Sequence, residues 1–149
     1  MHRQFLVMDR TYPDRPFLAV SAAIVRDGRL LVVRRARRPA QGLHTFPGGV
    51  VEAGETLAEA VVREVAEETA LAIAPVALAG YREAIQRDAD GRPRRHFVIL
   101  CFAARWLSGE PRLNEELDDA RWVAPAELAG LDTTEGLAEI AAEALAKLG

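Results

Sequence analysis

Two apolar runs joined by Asp27-Gly28 place the strongest constraint on the fold of this chain. Residues 17–25 (FLAVSAAIV) and 29–35 (RLLVVRR) are rich in β-branched and aliphatic side chains. Asp-Gly between two such runs is typical of a two-residue hairpin turn, because the tightest turns need positive φ at both central positions. The sequence therefore predicts an antiparallel pair of strands near its start.

The rest of the chain alternates helical and extended patterns. A helix is predicted from Thr56 to Thr69, and its inward side is predicted from the apolar spacing. That side comprises Leu57, Val61 and Val65 together with Ala58, Val62 and Thr69. Further strands are predicted at 76–86, 96–106 and 120–125, with a helical turn at 124–128.

A second amphipathic helix is predicted from Thr134 to Leu148, with Thr134 as its cap. The inward residues are expected to be Leu137, Ile140, Ala144, Leu145 and Leu148. Because strands and helices are interspersed, we expect an α/β fold with a mixed sheet and helices on both faces. A length of 149 residues fits one domain over 1–149.

Composition limits the partners. A net charge of −3 gives no general attraction to nucleic acid polymers or acidic membranes, so an anionic substrate needs local bases or a bound cation. Cys101 is the single cysteine, which excludes an internal disulfide and suits a reducing compartment. We see no targeting signal and no apolar stretch of about 18 residues. We therefore expect a cytoplasmic protein.

Residues 48–71 carry six glutamates and one arginine. On a helix, Glu64, Glu67 and Glu68 share one face, and their repulsion in water costs only about 0.2–0.5 kcal/mol per pair. Such a stripe is usually a solvated surface. However, Pro47-Gly48-Gly49 and two more glutamates precede it, and clustered oxygen donors are what Mg²⁺ or Mn²⁺ prefers. A solvated helix face and a metal site are the two alternatives.

The same residues resemble the Nudix box. The pattern is Gly49, five residues, Glu55, seven residues, then Arg63-Glu64-Val65-Ala66-Glu67-Glu68, one residue and Ala70-Leu71. The ends of the hairpin (RRA), the FPGG loop and the later RWVAPAEL also resemble segments of Nudix hydrolases. The resemblance implies an α/β/α sandwich that hydrolyses a diphosphate bond with a divalent metal, Mg²⁺ or Mn²⁺.

The resemblance also implies roles for individual residues. The metal ligands would be Glu64, Glu67, Glu68 and the Gly48 carbonyl, and Arg63 would pair with Glu55 to hold the loop against the helix. The general base stays open between a box glutamate, Glu67 or Glu68, and a distal glutamate. In this chain the distal candidate is Glu116, beside Glu115.

Substrate contacts are expected before the box. Arginines 34, 35, 37 and 38 form the densest basic cluster, and Arg35 resembles a position that contacts substrate phosphate or base. Phe46 is a candidate for stacking on the base. His44 stands where many relatives carry tryptophan, which brings base stacking into question. The basic turn at 91–97 (GRPRRHF) has no assigned role.

One position departs from the box, because Ala70 stands where the family has glycine. That glycine would end the helix in a left-handed conformation, in which alanine costs about 1 kcal/mol. Ala70 replaces no metal ligand. We therefore expect an effect on helix termination and none on catalysis.

Three functions are compatible with this sequence. The leading hypothesis is a pyrophosphohydrolase for ADP-ribose or a related nucleotide sugar, and the alternative enzyme is a MutT-type (d)NTP pyrophosphohydrolase. The third is a non-catalytic nucleotide-binding Nudix regulatory module. Such a module would have lost carboxylates of the box, whereas this chain retains them. Family members are often dimers, so a homodimer is one expected arrangement.

Overall fold

The predicted hairpin at Asp27-Gly28 is confirmed. In the computed structural model, strand β1 (Phe17–Arg26) pairs antiparallel with β2 (Arg29–Arg35). Asp27 and Gly28 have φ angles of 50° and 76°, as a turn with two left-handed residues requires. The structure describes residues 10–37 and 40–149, so the expectations about the first nine residues and Arg38 lie outside the described residues.

The sheet is mixed, as expected. Its other strands are β3 (His44–Thr45), β4 (Gly48–Val50), β5 (Ala72–Arg87), β6 (Pro93–Ser108) and β7 (Leu117–Val123). The order is β3-β2-β1-β6-β5, while β4 pairs with β1 and β7 pairs with β2. β1 runs parallel to β6, and β5 pairs antiparallel with β6 at the edge of the sheet.

Helices cover both faces of this sheet. They are α1 (Leu57–Thr69) and α2 (Leu137–Leu148), and a 3₁₀ helix spans Pro125–Gly130. Successive side chains of a strand point to opposite faces. Accordingly, Ile24 packs in the core cluster that contains α1, and Ala23 packs in the cluster that contains α2. The expected α/β architecture is confirmed. No helix among the described residues is long and apolar enough to cross a membrane.

The start of α1 matches the prediction, and its inward face matches in part. Thr56 caps the helix and forms a capping box with Glu59. The buried residues are Ala60, Val61, Val65 and Thr69. Ala58 and Val62 are exposed, so the prediction for these two was wrong. Both residues lie on the helix surface next to the buried stripe that faces the sheet.

The predicted cap of α2 was also wrong. The helix begins at Leu137 after Gly136, whose φ of 79° breaks the helical path, and no side chain caps it. The Thr134 hydroxyl instead shares a 3.0 Å hydrogen bond with the Thr45 hydroxyl on β3. Leu137 and Ala144 are buried as predicted. Ile140, Leu145 and Leu148 pack partly buried on the same cluster.

The β5–β6 hairpin is longer than its sequence pattern predicts. β5 begins at Ala72 and runs through Pro75, where the pairing register shifts. A proline is tolerated at such a bulge because no ladder hydrogen bond from its nitrogen is needed there. Pro75 therefore does not mark the start of this strand. The two short strands β3 and β4 were not predicted at all.

Candidate active site

Strand β4 turns part of its backbone toward α1. It runs antiparallel to β1, with Gly48 opposite Ser21 and Gly49 opposite Val20. In an antiparallel ladder, every second residue exchanges backbone hydrogen bonds with the partner strand. The backbone hydrogen bonds on either side of Gly49 show that Gly49 is one of the residues that bond to β1. The N–H and carbonyl of Gly48 thus lie outside the ladder. Its N–H hydrogen-bonds the Glu68 carboxylate.

The two glycines of the PGG segment allow a very close approach. A Cβ atom on Gly49 would collide with the carboxylate of Glu64, and one on Gly48 would collide with the backbone of Val20 and Ser21. Glycine is the residue that permits such contacts, because it has no side chain. The segment therefore lets β4 lie against both β1 and the acidic face of α1.

Glu68 is the most buried carboxylate of that face. Its side chain is 8% exposed, and its Oε2 lies 3.4 Å from Nη1 of Arg35. Its Oε1 is buried and has no hydrogen-bond partner among residues 10–37 and 40–149. Burial raises the pKa of Glu68 to about 7; Arg35 opposes this shift, and the charges of Glu64 and Glu116 add to it. A buried carboxylate oxygen without a partner is costly, and a cation would satisfy it.

Arg63 organises the carboxylates around it. Its Nε and Nη2 bind the two oxygens of Glu55 at 2.6 and 2.7 Å, which is the predicted pair. Its Nη1 lies 2.6 Å from Glu64 and 3.3 Å from Glu67. These carboxylates raise the pKa of Arg63, most strongly through the hydrogen bond to Glu55. Arg63 thus fixes Glu64 and the loop that carries Glu55.

No ready-made metal cluster is present among residues 10–37 and 40–149, since no three His, Cys, Asp or Glu side chains converge on one point. The reason is that arginines hold the carboxylates: Glu64 is bound to Arg63, and Glu68 to Arg35. The donors still fit a hard cation. They comprise carboxylate oxygens, including the buried Oε1 of Glu68, and the Gly48 carbonyl, which does not bond to β1.

The loop of residues 109–116 reaches the same site. The Asn114 side-chain amide donates to the carbonyl of Glu68 at 3.1 Å, which ties this loop to α1. Glu116 lines the same cavity as Glu68. Glu115 instead lies 3.4 Å from Arg37, with 85% of its side chain exposed. The structure brings Glu116 to the candidate site and leaves Glu115 outside it.

These groups open into a cavity of about 1300 Å³. Its acidic end contains Glu64, Glu67 and Glu68, and the predicted Arg35 and Phe46 also line it. Phe46 is only 5% exposed and packs in the core cluster beneath α2. Its ring is therefore a part of the cavity floor with little free surface for stacking.

His44 does not line the cavity. It is buried, and its Nε2 lies 2.8 Å from Oδ2 of Asp119 on β7. Arg121 binds the same Asp119 oxygen at 2.7 Å. His44 thus ties β3 to β7, and it does not take the place of a stacking tryptophan.

The far wall of the cavity contains residues that the sequence patterns did not single out. Arg82 and Phe97, from β5 and β6, line it with Phe17 and Arg10. The rings of Phe17 and Phe97 lie 5.9 Å apart, and the Arg10 guanidinium lies 5.9 Å from the Phe17 ring. These side chains come together only through the parallel pairing of β1 with β6, which no local pattern reveals. Arg95, from the basic turn without an assigned role, also lines this wall.

Cys101 is buried in β6, and burial raises the pKa of its thiol to about 11. A thiol with such a pKa is a poor nucleophile at neutral pH. Cys101 is therefore an inert part of the core.

Comparisons with known proteins agree with this architecture. The family model of the NUDIX domain matches residues 15–148. An ADP-ribose pyrophosphatase from Methanocaldococcus jannaschii is 36% identical over 107 residues, which cover 72% of this chain and 61% of that protein. A putative 8-oxo-dGTP diphosphatase 2 from Mycobacterium tuberculosis is 36% identical over 116 residues, covering 77% of this chain and 78% of the relative. The aligned region thus spans less than two thirds of the archaeal protein.

Solved structures show the same fold. A MutT NUDIX hydrolase from Burkholderia pseudomallei superposes with a TM-score of 0.69 at 33% identity, covering 91% of this chain and 100% of the other. The NUDIX domain of Shewanella oneidensis NrtR, complexed with ADP ribose, gives 0.69 at 23% identity, covering 91% and 90%. The second likeness concerns the fold alone. With the family model matched over residues 15–148, this chain belongs to the Nudix hydrolase family, whose members hydrolyse phosphoric anhydride bonds.

Proposed function

We propose that this chain hydrolyses the diphosphate bond of a nucleoside diphosphate linked to another group, most directly ADP-ribose or a related nucleotide sugar, with Mg²⁺ or Mn²⁺. The observation that carries the proposal is the environment of Glu68. Its carboxylate is buried at the acidic end of a large cavity, and one of its oxygens has no partner in the part of the chain that the structure describes. A solvated helix face would not bury it.

The metal would be held by Glu64, Glu67 and Glu68 with the carbonyl of Gly48. A bound divalent cation neutralises phosphate oxygens and lowers the pKa of a water molecule. Support comes from the donor chemistry, since all of these groups offer hard oxygens. Without a cation, an anionic diphosphate would be repelled by the same carboxylates.

The surrounding residues have distinct tasks in this proposal. Arg63 and Glu55 hold Glu64 in position, as partners of metal ligands commonly do. Arg35 binds Glu68 and would be available to a substrate phosphate if a cation held that carboxylate. Glu116 accepts the proton of the attacking water, with Glu67 or Glu68 as the alternative base.

The size and lining of the cavity favour a nucleotide sugar over a nucleoside triphosphate. Besides the acidic residues, residues of β5, β6 and α2 line it, and its volume is about 1300 Å³. This leaves space for a second organic group beyond the scissile diphosphate, which a nucleoside triphosphate lacks. The relative named ADP-ribose pyrophosphatase agrees with this choice. The MutT-type (d)NTP activity is the second candidate, because a relative is named 8-oxo-dGTP diphosphatase.

A substrate panel tests the proposal. Chelator-treated protein is incubated with ADP-ribose, other nucleoside diphosphate sugars, dinucleotides and (d)NTPs, with and without Mg²⁺, and the products are separated by ion exchange. We expect AMP and ribose 5-phosphate from ADP-ribose only when metal is present. Release of pyrophosphate from (d)NTPs alone would support the MutT-type alternative. Nucleotide binding without turnover of any compound would support a regulatory module.

A further inference from the structure

Arg82 is a charged side chain in an otherwise apolar part of the cavity wall. It lies on β5 directly opposite Ile99 of β6, which in turn lies opposite Ala19 of β1. Its neighbours two residues away on the same face of β5 are Gly80 and Ala84. All three of Arg82, Ile99 and Ala19 line the cavity. On the sheet the guanidinium is thus flanked by small or apolar residues, and Glu135 is a charged residue that acts on it.

Arg82 also differs from the other cavity arginines in lacking a partner. Within residues 10–37 and 40–149, no carboxylate lies within ion-pair distance of Arg82 and no hydrogen bond holds its side chain. The others do have partners: Arg35 binds Glu68, Arg37 binds Glu115, Arg95 binds Gln86 and Arg10 lies over Phe17. Arg82 is half-buried, and this burial lowers its pKa, while the charge of Glu135 opposes the change.

A half-buried guanidinium without an ion-pair partner favours an anion. Its planar fork suits phosphate oxygens in particular, and such charge-assisted hydrogen bonds are stronger than neutral ones. The scissile diphosphate belongs at the acidic end of the cavity, where the metal ligands and Arg35 lie. An anion at Arg82 is therefore a different group of the bound molecule.

We infer that Arg82 binds a phosphate monoester that the substrate carries away from its scissile diphosphate. This inference rests on the proposed function, since it assigns a second contact to the same substrate. It predicts a preference for nucleoside diphosphate derivatives that carry an additional phosphate on a sugar hydroxyl. Arg82 acts on binding and takes no part in the chemical step.

Pairs of compounds that differ only by one phosphate monoester give the sharpest kinetic test. Hydrolysis of NADP⁺ is compared with NAD⁺, and coenzyme A with dephospho-coenzyme A, using wild type, Arg82→Gln and Arg87→Gln. Arg87 is the matched control, because it is an exposed arginine of the same strand whose side chain binds the Gly91 carbonyl. We expect the wild type and Arg87→Gln to show a KM about tenfold lower for the phosphorylated member of each pair.

In Arg82→Gln the ratio of the two KM values should fall to about one, with kcat unchanged. Arg82→Lys, which keeps the charge and loses the fork, should retain part of the preference. An unchanged preference in Arg82→Gln, or no preference in the wild type, would overturn the inference. Hydrolysis of ADP-ribose in the same experiment would leave the proposed function standing.

A binding measurement without metal tests the role of Arg82 separately from the proposed hydrolysis. The thermal midpoint is measured in EDTA with adenosine 2′,5′-bisphosphate and with AMP. We expect the bisphosphate to raise the midpoint more than AMP in the wild type and equally in Arg82→Gln. This result without any diphosphate hydrolysis would retain the inference and reject the activity. Equal shifts in the wild type, with the same loss of stability in Arg82→Gln and Glu135→Gln, would mean that Arg82 only pairs with Glu135.

Discussion

At the scale of single residues, Glu68 sets the pH dependence of stability. Its pKa is about 7 in the folded protein, against an ordinary value of 4.5. The folded state therefore holds a proton that the unfolded state has released between these values, and stability falls as the pH rises from about 4.5 to 7. Above that window the ionised Glu68 costs about 3 kcal/mol.

Glu68→Gln should remove this cost. In EDTA at pH 8 the variant should be about 3 kcal/mol more stable than the wild type, and at pH 4.5 the two should be equal. Urea denaturation at both pH values measures the difference, with the exposed Glu139→Gln on α2 as the control. A wild type that is as stable as Glu68→Gln at pH 8 would contradict a buried carboxylate whose ionisation destabilises the folded protein.

Glu116 and Glu115 are adjacent in the chain, yet they have different surroundings. Glu116 lines the cavity with Glu68, while Glu115 pairs with Arg37 at the surface. Glu116→Gln should lower kcat by about 10²-fold with little change in KM, because a base acts in the transition state. Glu115→Gln should behave as the wild type. Steady-state kinetics decides, and normal turnover of Glu116→Gln would return the role of base to the box glutamates.

Gly49 lets Glu64 approach β4. In Gly49→Ala the new methyl group would displace the Glu64 carboxylate, which is the end of a flexible side chain, so the fold should survive. The affinity for Mn²⁺, measured by titration calorimetry, should fall about 10- to 100-fold because a ligand has moved. Gly130→Ala is the control, since a Cβ there meets open space. Unchanged Mn²⁺ affinity in Gly49→Ala would remove Glu64 from the metal site.

At the scale of elements, Ala70 tests how α1 ends. It has φ 68° and ψ 14°, the left-handed conformation that the family's glycine would adopt, and its N–H donates to the Ala66 carbonyl. Ala70→Gly relieves the strain of a Cβ in this conformation, although the unfolded glycine gains entropy. Thermal unfolding should show a gain of up to about 1 kcal/mol with kinetics unaltered.

Ala142→Gly provides the comparison for that variant. Ala142 is exposed within α2, where glycine costs about 1 kcal/mol relative to alanine. The two substitutions should therefore have opposite signs or differ by about that amount. An Ala70→Gly variant as unstable as Ala142→Gly would mean that α1 does not end in the left-handed conformation.

Local sequence signals were sufficient for elements that carry their own boundaries. Asp27-Gly28 specifies a turn, and the capping box at Thr56 specifies the start of α1. These local signals failed where contacts with residues far away in the sequence determine the structure. Thr134 was read as a helix cap, but it bonds to β3, which is some ninety positions earlier in the chain. β4 escaped prediction because two glycines and a valine form a strand only when β1 lies beside them.

At the scale of the whole molecule, the same distinction explains what was predicted of the site. The spacing of Glu64, Glu67 and Glu68 placed them on one helix face, but the sequence did not reveal that only 8% of Glu68 is exposed against 41% of Glu67. Burial of Glu68 depends on the site formed by β4, α1 and the loop of residues 109–116 together. Arg82 and Phe97 were missed for a similar reason, since the cavity joins β1 to β5 and β6, which are far from β1 in the sequence.

The proposed mechanism requires a divalent cation held around Glu68 for cleavage of the diphosphate. Its most direct test is the initial rate of ADP-ribose hydrolysis by chelator-treated protein as Mg²⁺ is titrated from zero, with the wild type and Glu68→Gln compared at saturating substrate. We expect no turnover without metal, saturable activation of the wild type, and a kcat in Glu68→Gln that is lower by at least about 10²-fold at saturating Mg²⁺. Metal-independent turnover, or a Glu68→Gln variant with the kcat and Mg²⁺ dependence of the wild type, would contradict it.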